Sequence, residues 1–428
     1  MAAARLPGFG WGQVARLGLV QAALGAIVVL TTSTLNRVMV VELALPALLP
    51  GLLVGLHYAV QITRPRMGHG GDVGGRRTPW ILGGMAVLAL GAVLAALATA
   101  WMATQVAAGT ALAVLGFLLI GLGISAAGTS LLALLAKQVA PERRAGAATV
   151  VWLMMIVGFA VTAGVAGQLL DPYSPARLVA VTAGVALAAC AVSVAALWRL
   201  EPARSGVTAG AAAEAAEPAA KPAFREALAE VWADPAARRF AIFVFLSMLA
   251  YSAQDLILEP FAGTVLGYTP GESTSLAGLQ HGGVLMGMLM AAMAGREWRG
   301  IRLGSLRGWT VGGCLASAVA MGGLVVAGLV GTDWPFRANV FLLGVANGAF
   351  SIAAIGAMMQ LAGADGRGRE GVRMGLWGAA QGVAFGLGGL LGTAASDLAR
   401  WLLQDPGTAY AGVFAFEAAM FLFAAGIA

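Results

Sequence analysis

Arg37 and Glu42 lie in a run of residues otherwise apolar enough to span a bilayer, and Asp255 and Glu259 do the same about half a chain later. An ionised side chain at the bilayer centre costs roughly 2.5–3.5 kcal/mol on insertion scales, so such residues usually face a protein interior and mark function. A guanidinium does not deprotonate in a protein, and Arg37 is too deep to snorkel to water. At 3.6 residues per turn Arg37 and Glu42 fall roughly 140° apart on a helix. That spacing predicts that Arg37 finds its partner on the second segment, at Asp255 or Glu259, whereas Glu42 also reads as a residue reaching the polar boundary. Asp255 and Glu259 are four apart and share a helix face, with Ser252 and Gln254 beside them and Asn36 preceding Arg37. Such carboxyls can carry a proton or hydrogen-bond a ligand. His57 and His281 add two imidazoles, flanked by Tyr58 and Gln280. A neutral imidazole is a metal ligand once its second nitrogen is fixed by a neighbour, and it serves equally as a hydrogen bond between helices. His69 falls in a loop and reads as a surface residue.

The elements that must position these groups follow from composition. The 428 residues are 59% hydrophobic and 11% charged, against about a quarter charged in a soluble domain, so most of the chain must lie in lipid. The net charge of +6 is spread over short loops with no aromatic-interleaved basic face, which argues against nucleic-acid binding. Cys190 and Cys314 sit in apolar segments and imply neither a disulfide framework nor a zinc site. The first apolar run has no small-residue cleavage site and is expected to remain as a span. Phosphate loops, a nucleophile elbow and zinc-ligand spacing are all missing from the sequence, so we expect no enzyme activity.

A spanning helix needs about 20 mainly apolar residues. Twelve stretches qualify, near 17–42, 46–63, 79–101, 108–136, 147–169, 178–199, 239–262, 274–295, 308–330, 337–361, 372–395 and 409–427. The expected fold is therefore an all-α polytopic membrane protein with twelve transmembrane helices in two six-helix bundles. Residues 1–200 form one bundle, 201–237 a cytoplasmic linker with an interfacial helix near Phe224 to Trp232, and 238–428 the other bundle. With both termini cytoplasmic, 22 of the 26 Lys and Arg residues fall inside, leaving Arg177, Arg337 and Arg400 outside and Arg37 within a span, as the positive-inside bias requires. The halves also repeat. Gly146 to Trp152 opens span five as Gly371 to Trp377 opens span eleven, and His57 in span two parallels His281 in span eight. Two parallel six-helix repeats are the architecture of the major facilitator superfamily. Trp11, Trp80, Trp101, Trp334 and Trp401 fall near the predicted interfaces as an aromatic belt. Gly378, Gly382 and Gly386, four apart in span eleven, predict close helix contact.

The loop from Gly68 to Pro79, containing Asp72, Arg76 and Arg77, resembles that superfamily's loop between spans two and three. Pro141-Glu142-Arg143-Arg144 resembles its loop after span four; such loops latch the cytoplasmic ends of the bundles. A more specific resemblance is carried by Thr34-Leu-Asn-Arg-Val-Met-Val-Val-Glu-Leu43, Leu56-His-Tyr58, Arg64-Pro-Arg66, Arg76-Arg-Thr-Pro-Trp80, Tyr251 to Gly263, and Gln280-His-Gly-Gly283. Over nearly the whole chain these strings resemble the PucC family, the bacteriochlorophyll-delivery branch of the superfamily. The resemblance implies a photosynthetic assembly factor of the bacterial inner, intracytoplasmic photosynthetic membrane that handles bacteriochlorophyll and loads it into light-harvesting polypeptides. Bacteriochlorophyll synthase and the geranylgeranyl reductase that finishes the pigment tail are the further implied partners, besides membrane lipid. On that reading Asn36, Arg37, Glu42, Gln254, Asp255, Glu259 and Gln280 form a pigment-binding or central polar cluster. His57 and His281 become candidate axial ligands of the chlorin magnesium, with no free metal expected. A proton-coupled solute transporter using Asp255 and Glu259, or a scaffold that docks biosynthetic enzymes, are the alternatives.

Overall fold

Backbone polar groups in lipid must be satisfied within the segment, so apolar stretches of this length have helix as their stable solution. Local signals set several of the starts: Pro79, Pro175, Pro235, Pro270 and Pro406 each stand in the first turn of a helix, where the missing N–H costs nothing. Ser174, Asp234, Thr269 and Asp405 cap four of these helices through side-chain oxygens, each accepting an otherwise orphaned N–H.

The computed structural model describes residues 9–61, 76–140, 143–201, 232–293, 297–298, 301–302, 304–363 and 370–428. The helices are α1 (Trp11–Glu42), α2 (Leu48–Val60), α3 (Thr78–Met102), α4 (Val106–Gln138), α5 (Arg144–Leu170) and α6 (Pro175–Leu197). They continue as α7 (Pro235–Leu266), α8 (Pro270–Ala291), α9 (Leu306–Val330), α10 (Phe336–Gly363), α11 (Glu370–Leu403) and α12 (Pro406–Ile427). A two-residue antiparallel ribbon, Glu297–Trp298 with Ile301–Arg302, is the exception to an all-helical chain among the described residues. Ten of the helices are long and apolar enough to cross a membrane. Of the other two, α2 is apolar but shorter, and α8 opens on the polar run Gly-Glu-Ser-Thr-Ser. The expected linker and interfacial helix lie outside the described residues, apart from Trp232.

Two large hydrophobic clusters form among the described residues, beside smaller ones. One joins Leu35 and Met39 of α1 to Leu53, Met85 and Phe117 on α2, α3 and α4. The other gathers Phe243 and Phe261 of α7 with Phe350, Tyr410, Phe414 and Phe421. Between them α5 packs against α8, and α2 against α11. These contacts are close because small residues meet. A Cβ added to Gly278 would stand 2.8 Å from the Gly164 nitrogen, and Gly51 faces Thr393 just as tightly, the small-residue packing by which helices associate in lipid. The predicted glycine stripe on α11 is corrected here. Gly382 faces open space and Gly386 is in ordinary contact with Tyr58, whereas Gly388 and Gly392 press against the α7 backbone at Leu249 and Ala253. The surroundings of Gly378 lie outside the described residues.

Two helices are irregular where their charges sit. In α1 a regular helix to Val29 widens into π-helical turns at Leu30–Thr34 and Val38–Glu42. Thr31 and Thr32 donate hydroxyls back to the Val28 carbonyl at 2.9 and 3.0 Å, a back-bonding that loosens the regular ladder. In α7, Pro260 lies inside the helix and deprives the Leu256 carbonyl, four residues earlier, of its usual N–H.

Candidate functional site

Arg37 is 1% exposed, and its partner is Glu42 on its own helix, an ion pair made through Nη1. This corrects the expectation of an Asp255 or Glu259 partner. The angle of 140° assumes 3.6 residues per turn, but in π-helical turns the i→i+5 register brings residues five apart onto one face, and Leu43 N–H indeed donates to the Val38 carbonyl. Arg37 Nη2 donates to the Tyr268 carbonyl just beyond α7, so the α1–α7 contact survives with a backbone acceptor in place of a carboxylate. Gly263 makes room for it: a Cβ there would stand 2.9 Å from Nη2. Tyr173, in the turn between α5 and α6, has its phenol pushed above the ordinary 10.0 by burial and then by the Glu42 carboxylate, with Arg37 opposing.

Asn36, the neighbour of Arg37, answers the proline. Its Nδ2 donates to the Leu256 carbonyl at 2.6 Å, the acceptor that Pro260 leaves without an intrahelical donor. A buried carbonyl left unpaired is costly, and here a side chain from the other half of the chain meets it. Beside this bond the Thr34 and Thr274 hydroxyls meet at 3.0 Å. The two charged stretches noted in the sequence therefore touch, through Asn36 and Leu256.

Ser252 of α7 donates to the Phe385 carbonyl of α11 at 2.8 Å, but two larger polar residues of α7 are buried with less support. Gln254 is 0% exposed with both amide atoms unpartnered, and Glu259 is 2% exposed with both carboxyl oxygens unpartnered. The Arg37 charge and the Ser273 hydroxyl act on Glu259, and the Gln254 and Gln280 amides act on the half-buried Asp255, though none reaches full hydrogen-bond geometry. Gln280 has an unpartnered Nε2. Glu417 on α12 joins this group: it is 1% exposed, both its oxygens lack partners, and Asp255 acts on it electrostatically. The sequence reading missed Glu417, although the same signal, a lone acid in an apolar span, marks it.

The two histidines differ. His57 is buried, its Nε2 is 3.0 Å from Gln61 Nε2, and its ring lies 4.4 Å from that of Tyr58, which leans on Phe385 of α11. His281 is only partly buried and donates Nδ1–H to the Ala277 carbonyl at 2.8 Å. That bond fixes the tautomer and leaves the Nε2 lone pair free of protein hydrogen bonds, with the edge of Phe159 from α5 against the ring at 4.9 Å.

At the other end of the molecule the predicted loop residues divide. Asp72 and Glu142 lie outside the described residues, as does the side chain of Arg144, which opens α5. Arg143 donates to the Phe9 carbonyl at 3.2 Å. Arg76 is exposed with Nε 4.0 Å from Glu201, and the backbone N–H groups of Arg77 and Thr78 both donate to that carboxylate at 3.0 Å. Glu201, just beyond α6, therefore caps α3. Burial works against its charge, but these N–H groups and the Thr78 hydroxyl outweigh it and hold Glu201 below the ordinary 4.5. Away from all of these residues, a groove of about 960 Å³ runs between α9 and α10, floored by glycines of α9 and walled by Trp309, Trp334 and Leu342.

A family model described as PUCC protein matches residues 34–428. The chain belongs to the PUCC family. Over 420 residues it is 52% identical to the "Bacteriochlorophyll synthase 44.5 kDa chain" of Rhodobacter capsulatus, covering 98% of this chain and 95% of that relative. It is also 31% identical to "Protein PucC" of Cereibacter sphaeroides, covering 95% and 89%. Among solved structures the D-xylose-proton symporter aligns with TM-score 0.67 at 14% identity, covering 97% of this chain and 96% of that one. A bacterial homologue of the human lysosomal transporter Spinster, inward-facing and occupied, gives 0.66 at 16%, covering 99% and 96%. At such identities these neighbours establish the major facilitator fold and nothing further.

Proposed function

We propose that this PUCC-family member is a photosynthetic assembly factor that binds bacteriochlorophyll and delivers it to light-harvesting polypeptides or docks pigment-biosynthesis enzymes. One relative is named as a bacteriochlorophyll synthase chain and another as Protein PucC, and the first of these names supports the pigment reading. On this reading the twelve helices form two six-helix bundles, 1–200 and 238–428, in the bacterial photosynthetic membrane with both termini cytoplasmic. The two largest clusters draw mainly on one half each, with Leu256 of α7 reaching into the first, and this supports the division. The chain would act on its cargo by holding and passing it, without catalysis.

The observation that carries the pigment reading is His281. A chlorin magnesium takes a neutral nitrogen with a free lone pair, and the donor set here fits: the Ala277 carbonyl holds Nδ1–H and orients the ring, as partners of ligating histidines do. Phe159 gives the ring an aromatic wall. His57, with Nε2 engaged by Gln61, suits a structural role. The unpartnered Nε2 groups of Gln254 and Gln280 supply N–H donors that a ligand's carbonyls could meet. The test is to express the native chain, His281→Leu and His57→Leu in cells that make bacteriochlorophyll and measure pigment per protein. His281→Leu should lose pigment severalfold while His57→Leu keeps it; equal pigment in His281→Leu and native protein would sink the assignment.

The second reading, a proton-coupled small-molecule transporter, draws on the buried Glu259 and Glu417 carboxyls and on the fold. Proton-driven solute flux into vesicles by a colourless protein would favour it.

A further inference from the structure

Two aspartates outside the polar cluster do matched work at the end of the molecule where α1 finishes and α2 begins. Asp171 follows the last residue of α5 and accepts from the Thr269 hydroxyl at 2.8 Å through Oδ2 and from the Gly271 N–H at 3.2 Å through Oδ1. It thus sits on the N-terminus of α8. Asp397, near the end of α11, accepts from the N–H groups of Ala47 at 2.9 Å and Leu48 at 2.8 Å, one to each oxygen. It sits on the N-terminus of α2, which has no side-chain cap of its own. Each carboxylate thus meets the positive end of a helix dipole; Asp397 takes two of its orphaned N–H donors, and Asp171 takes one together with the hydroxyl of the capping Thr269.

The half-chain repeat relates the two contacts. Spans five and eleven correspond, as do spans two and eight, so α5 capping α8 and α11 capping α2 are one interaction made twice, each time from one half of the chain to the other. Glycine packing repeats beside it. Gly167 of α5 lies against Gly271 and Ser275 of α8, and Gly51 of α2 lies against Thr393 of α11. Three further bonds between described residues cross between the halves at this same end: Thr34 to Thr274, Asn36 to Leu256 and Arg37 to Tyr268.

We propose that Asp171 and Asp397 are a pair of latches that hold this end of the two bundles closed, so that cargo enters and leaves from the opposite end or from the side. Opening this end requires both helix starts to leave their carboxylates. Because the latches are repeat-related and independent, losing one leaves the other holding, and losing both releases the end. This goes beyond the pigment reading and does not depend on it.

The test is a distance measurement in the full chain. Gln105, between α3 and α4, and Asp333, between α9 and α10, are exposed at the latched end. Spin labels are placed at Gln105→Cys and Asp333→Cys in a Cys190→Ala background, the remaining Cys314 being fully buried. The native chain should give one narrow distance population. Asp171→Ala with Asp397→Ala should move it to longer distance by more than its native width, and each single change should move it less. A double variant whose distribution superposes on the native one overturns the proposal. Should the alanine pair fail to fold, Asp171→Asn with Asp397→Asn keeps the volume and one acceptor oxygen of each pair. It should shift the population the same way by a smaller amount, and an unshifted distribution there is equally fatal.

Discussion

Replacing Asn36 by Leu removes the amide donor that meets the Leu256 carbonyl at 2.6 Å, in a place where Asn36 is 1% and Leu256 3% exposed. Leaving a buried acceptor unmet costs about 1–3 kcal/mol. Part of that is returned, because Asn36 Oδ1 has no partner and its burial cost disappears with it. The net expected loss is about 1–2 kcal/mol, which is roughly a 5- to 30-fold change in the folded ratio. The cause lies four residues along α7, so it can be removed independently. Pro260→Ala restores an N–H at the position from which an α-helix reaches the carbonyl of residue i−4, and Leu256 is that residue. In the Pro260→Ala background, Asn36→Leu should therefore cost close to nothing. The assay is a double-mutant cycle by equilibrium unfolding in mixed denaturing and mild detergent micelles, followed by tryptophan fluorescence. A cost of Asn36→Leu that is the same in both backgrounds, within the roughly 0.3–0.5 kcal/mol scatter of independent sites, would refute the reasoning. The bond would then be incidental to the proline.

Arg37→Met with Glu42→Gln should show a coupling of about 1–2 kcal/mol, between the values for exposed and buried pairs, because Arg37 is buried but the Glu42 side chain is 32% exposed. A larger coupling of Arg37 to Asp255 in the same cycle would restore the partner expected from regular helix geometry. Glu201 sits below its ordinary 4.5 in the folded chain, so its cap stabilises above the unfolded value and is lost as pH falls through the lower folded value. A Glu201→Gln variant should be less stable than native at neutral pH and show a shallower acid limb; identical pH profiles would count against the cap. Gly348→Ala would drive a Cβ into the Val284 carbonyl of α8 and Gly344→Ala into that of Gln280, and overpacking of this kind costs typically about 1–3 kcal/mol. Gly382→Ala, which meets nothing within 4 Å, should instead raise stability through helix propensity.

Much of the fold was readable because hydrophobic length determines where a helix can cross lipid; each expected span coincides with a helix, to within a turn or two at most ends, and ten of these are long and apolar enough to cross, α2 and α8 being the exceptions. Reading Arg37 failed for a local reason: a pattern scored at 3.6 residues per turn cannot see π-helical turns, which Thr31 and Thr32 accompany by bonding back to the chain. Asp171, Asp397 and Glu201 were passed over because their role is to cap helices distant in sequence, and capping signatures in a sequence are local. The start of α8 shows the contrast, since Thr269 and Glu272 form a readable capping box while the added cap from Asp171 is invisible until the helices pack. Glu417 was legible by the same rule that singled out Glu259. The two histidines looked alike in sequence and separate only once the neighbours of each ring nitrogen are known.

The central claim, that this chain holds bacteriochlorophyll, is tested most directly by an absorption spectrum of the gently purified protein from a pigment-making cell, with the extracted pigment identified by chromatography. The account predicts a far-red band, bacteriochlorophyll in the extract, and severalfold less of both in His281→Leu. A colourless, well-folded native protein would contradict it.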